Sequence, residues 1–211
     1  MSAPPRPDDS ARDPALAAPP RPALLIFDLD GTLTVPMLDF DAIRAEIGLP
    51  PGPILESVSR MTGAARQRAE AILERHESRA AAESALQPNA AAVLARLRTA
   101  RIPVALMTRN TPTSVAAFQA RHGLTFDHVR TRADGVVKPD PRPVLDICAC
   151  FGVAPQASCV VGDFRFDVEC GRAAGATTVL LLPPGPTPDW AALATHVIRD
   201  LAELLPRIGL A

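Results

Sequence analysis

The sequence predicts an α/β fold in which a doubly wound parallel sheet forms the core and a small, all-helical segment is inserted as a cap. Short apolar runs of strand length recur along the 211-residue chain without polar alternation, which is typical of strands buried on both faces. Helical patterns follow these runs, and this alternation indicates a parallel sheet covered by helices. Residues 36–86 contain no strand pattern, and this interruption predicts the cap.

Six apolar runs of the sequence are strand candidates. The first, ALLIFDLD at residues 23–30, is apolar up to its two acids. Five more follow, at residues 102–108, 128–131, 157–163, 176–182 and 195–200. The helices expected between and after them cover residues 88–100, 111–123, 141–152, 165–175 and 200–209. Together they predict a Rossmann-like core made of residues 23–35 and 87–211.

The cap, residues 36–86, divides into three helical patterns. They cover residues 38–48, 52–61 and 62–86, and prolines between the first two favour a break there. A segment of this size suits a small lid over one edge of the sheet.

The composition is that of a globular chain. Hydrophobic residues make up 47% and charged residues 21%. A formal net charge of −1 argues against a nucleic-acid partner, and 4% aromatic residues without tyrosine argue against base stacking. No apolar run reaches the roughly 20 residues that span a bilayer, so no membrane partner is expected.

The first 22 residues, MSAPPRPDDSARDPALAAPPRP, predict a flexible leader. They hold too little apolar surface to fold and no apolar stretch of signal-peptide length. A cytoplasmic location follows as an expectation, and the four cysteines are expected to be small buried residues, since they lack metal-ligand spacing. No strongly apolar surface stripe is visible, so a monomer is expected.

Polar residues collect where the predicted strands end. In open parallel sheets, ligands bind outside the carboxyl ends of the strands. The residues that fall at these ends, or in the loops beyond them, are Asp28, Asp30, Thr108, Arg109, Asn110, Lys138, Asp163 and Asp167. Clustered carboxylates repel one another unless a cation lies between them, and their oxygens suit Mg²⁺. An aspartate beside a bound phosphate can also act as a nucleophile.

Four short motifs, DLDGTL, LMTRN, VVKPDP and VVGDFRFD, occur in this order. They resemble the four motifs of the haloacid dehalogenase-like (HAD) phosphatases, over residues 23–183. The resemblance implies a Mg²⁺-dependent phosphatase acting on a small phosphorylated metabolite, with a helical cap after the first motif. Similar small-capped members often act on phosphoglycolate, although other small phosphate monoesters fit nearly as well.

The resemblance also implies roles for single residues. Asp28 would be the nucleophile and Asp30 the general acid and base. Thr108 and Lys138 would bind the phosphoryl group, and Lys138 would neutralise the charge of the intermediate. Arg109, which precedes Asn110 where many relatives have the asparagine directly, is a further candidate for contact with a phosphate or a substrate carboxylate.

The implied metal ligands are Asp28, Asp163, the backbone carbonyl of Asp30, and Asp167, which would act through water or by orienting Lys138. Phe164 stands where the fourth motif usually has serine or threonine. Phe164 and Phe166 could form an aromatic gate, but packing in the core is the expectation for one or both.

Other functions stay open at this point. A phosphomutase would use the same Asp28 and Asp30, and a dehalogenase would need neither a metal nor the acid at Asp30. A phospho-acceptor receiver module also combines an aspartate, a threonine and a lysine at strand ends. Receivers, however, have no helical insertion after the nucleophile strand and no acid two residues beyond it.

Overall fold

The computed structural model of the chain describes residues 21–210. Of the predicted leader, residues 1–22, all but the last two lie outside the described part. Within residues 21–210 no helix combines the length and the apolar character needed to cross a membrane.

The core is one sheet of six parallel strands. Its order is β3-β2-β1-β4-β5-β6, so the chain winds outward from β1 in one direction and then, from β4, in the other. This confirms the predicted doubly wound fold, and it places the switch point between β1 and β4. The strands are β1 (Leu24–Phe27), β2 (Val104–Met107), β3 (His128–Arg130), β4 (Ser158–Gly162), β5 (Thr177–Leu181) and β6 (His196–Ile198).

Helices cover both faces of the sheet and form the inserted segment. The helices are α1 (Phe40–Ile47), α2 (Ile54–Ser59), α3 (Gly63–Glu83), α4 (Ala90–Thr99), α5 (Pro112–His122), α6 (Arg142–Phe151), α7 (Arg165–Ala174) and α8 (Leu204–Arg207). Strand residues alternate between two apolar layers. Leu25 and Phe27 pack in the layer with α4 and α5, whereas Leu24 and Ile26 pack in the layer with α6 and α7.

The helix α3 ends before the predicted boundary at residue 86 because the chain there pairs with the segment that leaves β1. The Val35 N–H donates to the Ala85 carbonyl at 2.9 Å, and the Gln87 N–H donates to the Leu33 carbonyl at 2.9 Å. The two connections between cap and core are therefore hydrogen-bonded to each other, a tertiary effect that helical periodicity alone does not reveal.

The last predicted helix, residues 200–209, is also shorter than expected. A capping box, in which Asp200 accepts from the Ala202 N–H and Glu203 accepts from the Asp200 N–H, tightens residues Leu201–Glu203 into a 3₁₀ turn before α8.

The cysteines differ in burial. Cys148, Cys159 and Cys170 are buried as expected, but Cys150 is exposed. That expectation was wrong for Cys150 because residues two apart on a helix point in nearly opposite directions, so α6 buries Cys148 and turns Cys150 outward.

Close packing of α7 on the sheet depends on Gly171. A Cβ atom at this position would lie 2.6 Å from the Thr178 Cγ2 and 3.1 Å from the Val160 Cβ.

We expect Gly171→Ala to lower the free energy of unfolding, because overpacking costs about 1–3 kcal/mol and alanine gains only about 1 kcal/mol over glycine in a helix. Urea denaturation measures the change. Arg172→Ala, at the exposed neighbouring position, is the control and should change the free energy of unfolding by less than about 0.5 kcal/mol. If Gly171→Ala were as stable as the wild type, the close packing of α7 on the sheet would be contradicted.

Candidate active site

Two of the sequence-predicted acids, Asp28 and Asp167, meet at the ammonium group of Lys138 near the carboxyl ends of β1 and β4. Asp28 follows β1, and its N–H donates to the Val161 carbonyl at 2.9 Å. The Lys138 Nζ donates to the Asp28 Oδ1 and to the Asp167 Oδ1, each at 2.5 Å. Burial alone would lower the pKa of Lys138, but the charges of Asp167 and Asp28 raise it above its ordinary value. Lys138 therefore stays charged between the two acids.

A third carboxylate makes this group too acidic for one ammonium to neutralise. Ligand oxygens of Asp28, Asp163 and Asp167 all lie within 4.8 Å of one another. Burial, followed by repulsion from Asp28 and Asp167, raises the pKa of Asp163 well above its ordinary value. Burial likewise raises the pKa of Asp167 to about 6. Crowded oxygen donors of this kind fit a hard divalent cation such as Mg²⁺.

Two glycines make room for these carboxylates. Gly31 has a φ of +81°, and a Cβ atom there would lie 2.1 Å from the Asp163 Oδ2. A Cβ atom on Gly162 would lie 2.2 Å from the Asp167 Cβ. The Gly31 backbone therefore turns in a way that other residues rarely adopt, directly against an acid from the neighbouring strand.

Thr32 links two of the acids, a contact that sequence reasoning missed. Its hydroxyl lies 3.3 Å from the Asp163 Oδ1 and 3.5 Å from the Asp28 Oδ2. The residue is fully buried. Its place in the motif DLDGTL, two residues after Asp30, was the available signal.

Asp30 lies apart from the group around Lys138 and has its own partner. The Asn110 Nδ2 donates to the Asp30 Oδ2 at 2.6 Å. Burial raises the pKa of Asp30 to about 6, and the charge of Glu77 adds to the rise, while the Asn110 hydrogen bond opposes it. Asn110, which lies one position later than in many relatives, therefore still binds Asp30 of the first motif. Arg109, which precedes it, binds Glu56 instead.

Thr108 follows β2 and is buried at the same end of the sheet. Its hydroxyl accepts from the Asn110 N–H at 3.2 Å. Thr108 lines the same cavity as Asp28 and Lys138.

Arg109 contacts an acid of the cap and not the acids at the ends of the core strands. Its Nη2 donates to the Glu56 Oε1 of α2 at 2.7 Å, and its guanidinium carbon lies 4.9 Å from the centre of the Phe166 ring. Glu56 could not be predicted as the partner of Arg109 from the sequence, because the two residues are 53 positions apart and Glu56 lies in the inserted segment.

A second ion pair joins the cap to the core. The Arg132 Nη1, in the turn after β3, donates to the Glu77 Oε1 of α3 and also to the Arg109 carbonyl at 3.2 Å. Glu77 is only 4% exposed, and burial raises its pKa despite the opposing effect of Arg132. The sequence did carry a signal, because Glu77 is spaced with Leu73 and Ala80 on the buried face of α3.

A cavity of about 560 Å³ lies over these residues, between the cap and the ends of the strands. Phe164 and Phe166 form part of its wall and make an edge contact with ring centres 5.1 Å apart. Core packing was expected for one or both rings, but neither is buried: Phe164 is 52% exposed and Phe166 is partly exposed. Phe164 is the N-cap residue of α7 and lies outside the apolar face of that helix.

Comparison with known proteins gives consistent matches. A family model described as haloacid dehalogenase-like hydrolase matches residues 22–175. A haloacid dehalogenase-like hydrolase domain-containing protein of Arabidopsis thaliana is 32% identical over 170 residues, which cover 74% of this chain and 69% of the relative. A phosphoglycolate phosphatase of Pseudomonas putida is 32% identical over 217 residues, which cover 88% and 79%. The solved structure of a hydrolase from Pseudomonas syringae has a TM-score of 0.72 at 22% identity, covering 88% and 94%, and shows the shared fold.

The buried pair between Glu77 and Arg132 gives a test of how the cap is held. We expect Arg132→Ala to lower the free energy of unfolding by about 3 kcal/mol, because it leaves the Glu77 carboxylate buried without its partner. Arg79→Ala breaks an exposed pair with Glu83 on the same helix and should cost less than about 0.5 kcal/mol. Chemical denaturation compares the two variants, and equal effects would show that the buried pair does not hold the cap.

Proposed function

This chain belongs to the haloacid dehalogenase-like hydrolases, and we propose that it is a Mg²⁺-dependent phosphatase that hydrolyses a small phosphate monoester. The observation that carries the proposal is the cluster of Asp28, Asp163 and Asp167, two of which bind Lys138, with Asp30 nearby. The similarity to a phosphoglycolate phosphatase over most of both chains supports a phosphate monoester as the substrate class.

The proposed metal ligands are Asp28, Asp163, the backbone carbonyl of Asp30, and Asp167. When bound, Mg²⁺ would supply positive charge that allows these carboxylates and a phosphate to share one site. The raised pKa of Asp163 supports this assignment, since burial and then repulsion from Asp28 and Asp167 disfavour its carboxylate more than the Lys138 ammonium favours it.

The proposed reaction has two steps on the same acids. A carboxylate oxygen of Asp28 attacks the phosphorus, the bond to the alcohol oxygen breaks, and Asp30 gives its proton to the leaving alcohol. Asp30 then takes a proton from water, whose oxygen attacks the phosphorus of the aspartyl-phosphate and releases phosphate and free Asp28. A pKa of about 6 suits Asp30 to both proton transfers near neutral pH.

Lys138 and Thr108 are the proposed phosphate contacts beside Asp28. Lys138 already donates to the Asp28 carboxylate, so its charge lies where the aspartyl-phosphate would form. Arg109 stays a predicted contact, and reaching the phosphate would require its guanidinium to leave Glu56. The proposal further includes a cytoplasmic location and a monomer, and light scattering after size-exclusion chromatography tests the latter.

Replacing the nucleophile tests the proposal. We expect Asp28→Asn to reduce kcat for p-nitrophenyl phosphate by at least about a thousandfold, because the amide cannot form the aspartyl-phosphate. Asp189→Asn, at an exposed acid that does not line the cavity, serves as the matched control and should keep wild-type activity. Phosphate release from Asp28→Asn at the wild-type rate would refute the proposed role.

Metal binding is testable without turnover. We expect Mg²⁺ at about 100 times its Kd to stabilise the protein by about 2.7 kcal/mol, which corresponds to a rise in Tm of about 5–10 °C for a domain of this size. Sodium chloride of equal ionic strength and addition of EDTA control for screening. In Asp163→Asn the rise should fall to less than half, and an unchanged rise would remove Asp163 from the metal site.

A further inference from the structure

We propose that the alcohol part of the substrate is apolar and carries no second anionic group. This inference rests on the proposed phosphatase function and names the class of leaving group that the cavity accepts. Three features carry it, namely the apolar lining of the cavity, part of which is exposed at its mouth, the pairing of its cations, and the position of the buried acid Glu77.

The cavity offers far more apolar room than a phosphate needs. Its volume of about 560 Å³ lies within the range of about 300–1,000 Å³ that is typical of small-molecule sites. The acids and Lys138 occupy the core side. The cap and the start of α7 supply apolar side chains to the remaining wall, namely Met37, Leu38, Phe40, Leu55, Phe164 and Phe166.

Within residues 21–210, every cation that lines the cavity already has an acidic partner. The Arg44 Nη2 is 2.6 Å from the Asp41 carboxylate, and the Arg109 Nη2 is 2.7 Å from Glu56. Lys138 is held between its two aspartates. A second carboxylate or phosphate on the substrate would therefore lose its water without gaining a free positive partner.

The buried acid of the cap makes a second anion less favourable still. Glu77 lines the cavity, and its carboxylate adds negative charge to the side of the wall that the cap forms. The Glu77 Oε2 has no hydrogen-bond partner within the described residues. A substrate carboxylate placed between the cap and Asp30 would face this charge. An apolar group would not.

Exposed apolar side chains gather at the mouth of the cavity. Met37 is 43%, Phe40 51% and Phe164 52% exposed, which places them among the most exposed large apolar side chains of residues 21–210. All three line the cavity. Exposed apolar clusters of this kind usually mark binding surfaces, and an apolar leaving group would cover this one.

The decisive substrates are hexyl phosphate and 6-phosphonooxyhexanoate. Both release a primary alcohol of the same length, and the second differs only in a carboxylate remote from the phosphorus. We expect kcat/KM for hexyl phosphate to exceed that for the carboxylate by at least about tenfold, the scale of a charge buried without a partner. Phosphoglycolate should likewise be hydrolysed less efficiently than hexyl phosphate. Equal values, or a preference for either carboxylate, would overturn the inference.

Substitutions of Phe40 test the cavity directly, because its side chain is half exposed and can be changed without emptying the core. Phe40→Ala should lower kcat/KM for hexyl phosphate by about fivefold and leave the carboxylate substrate nearly unchanged. Phe40→Arg adds a guanidinium at the mouth and should narrow or reverse the preference. Leu145→Ala, at an exposed apolar residue of α6 outside the cavity, is the matched control. If neither Phe40 variant changed the ratio of kcat/KM between hexyl phosphate and the carboxylate substrate, the inference would also be overturned.

Binding of the corresponding phosphonates separates this inference from the proposed function. Hexylphosphonate and 6-phosphonohexanoate carry a carbon–phosphorus bond that the proposed reaction does not cleave, so calorimetry gives their Kd values without turnover. Tighter binding of hexylphosphonate with no phosphatase activity would refute the proposed function and support the inference. Phosphatase activity, together with binding of 6-phosphonohexanoate that is as tight as or tighter than that of hexylphosphonate, would support the proposed function and refute the inference.

Discussion

The ammonium of Lys138, held 2.5 Å from both Asp28 and Asp167, is the interaction on which the site depends. Three acids whose oxygens lie within 4.8 Å of one another would repel strongly in a buried place without it. The fold creates this crowding because the doubly wound order puts the ends of β1 and β4 side by side. Because Gly31 and Gly162 lack a Cβ atom, Asp163 and Asp167 can lie directly against their backbones.

The same electrostatic constraint shapes the cap. Its two connections to the core are hydrogen-bonded to each other, and its charged side chains near the cavity are tied to the core by the Glu77–Arg132 and Glu56–Arg109 pairs. In both pairs the inserted segment supplies the glutamate and the core supplies the arginine, so the pairing joins the two parts and also occupies Arg109, the core arginine that lines the cavity. What the cap presents to the cavity is mainly apolar, so the contacts that hold the cap also define the kind of leaving group expected there.

Much of the fold and the core-side acids could be predicted from the sequence, for identifiable reasons. Buried parallel strands leave uninterrupted apolar runs, and their carboxyl ends meet at one edge, so Asp28, Asp163 and Lys138 could be placed together from chain order alone. Contacts to the cap could not be predicted. The partner of Arg109 depends on how α2 packs, and the end of α3 depends on pairing between two distant connections. The exposure of Cys150 depends on which face of α6 packs on the sheet, and that of Phe164 depends on where α7 begins, so neither could be predicted.

Transfer of the phosphoryl group to Asp28 is the central claim, and acid-quenched mass spectrometry with p-nitrophenyl phosphate tests it most directly. The Asp30→Asn variant should accumulate the intermediate, since nitrophenolate leaves without an added proton while the second step lacks its base. The account predicts one added phosphoryl group on the peptide that contains Asp28, absent from the Asp28→Asn, Asp30→Asn double variant. Release of nitrophenolate with no phosphorylated peptide, or at the same rate in the double variant, would contradict it.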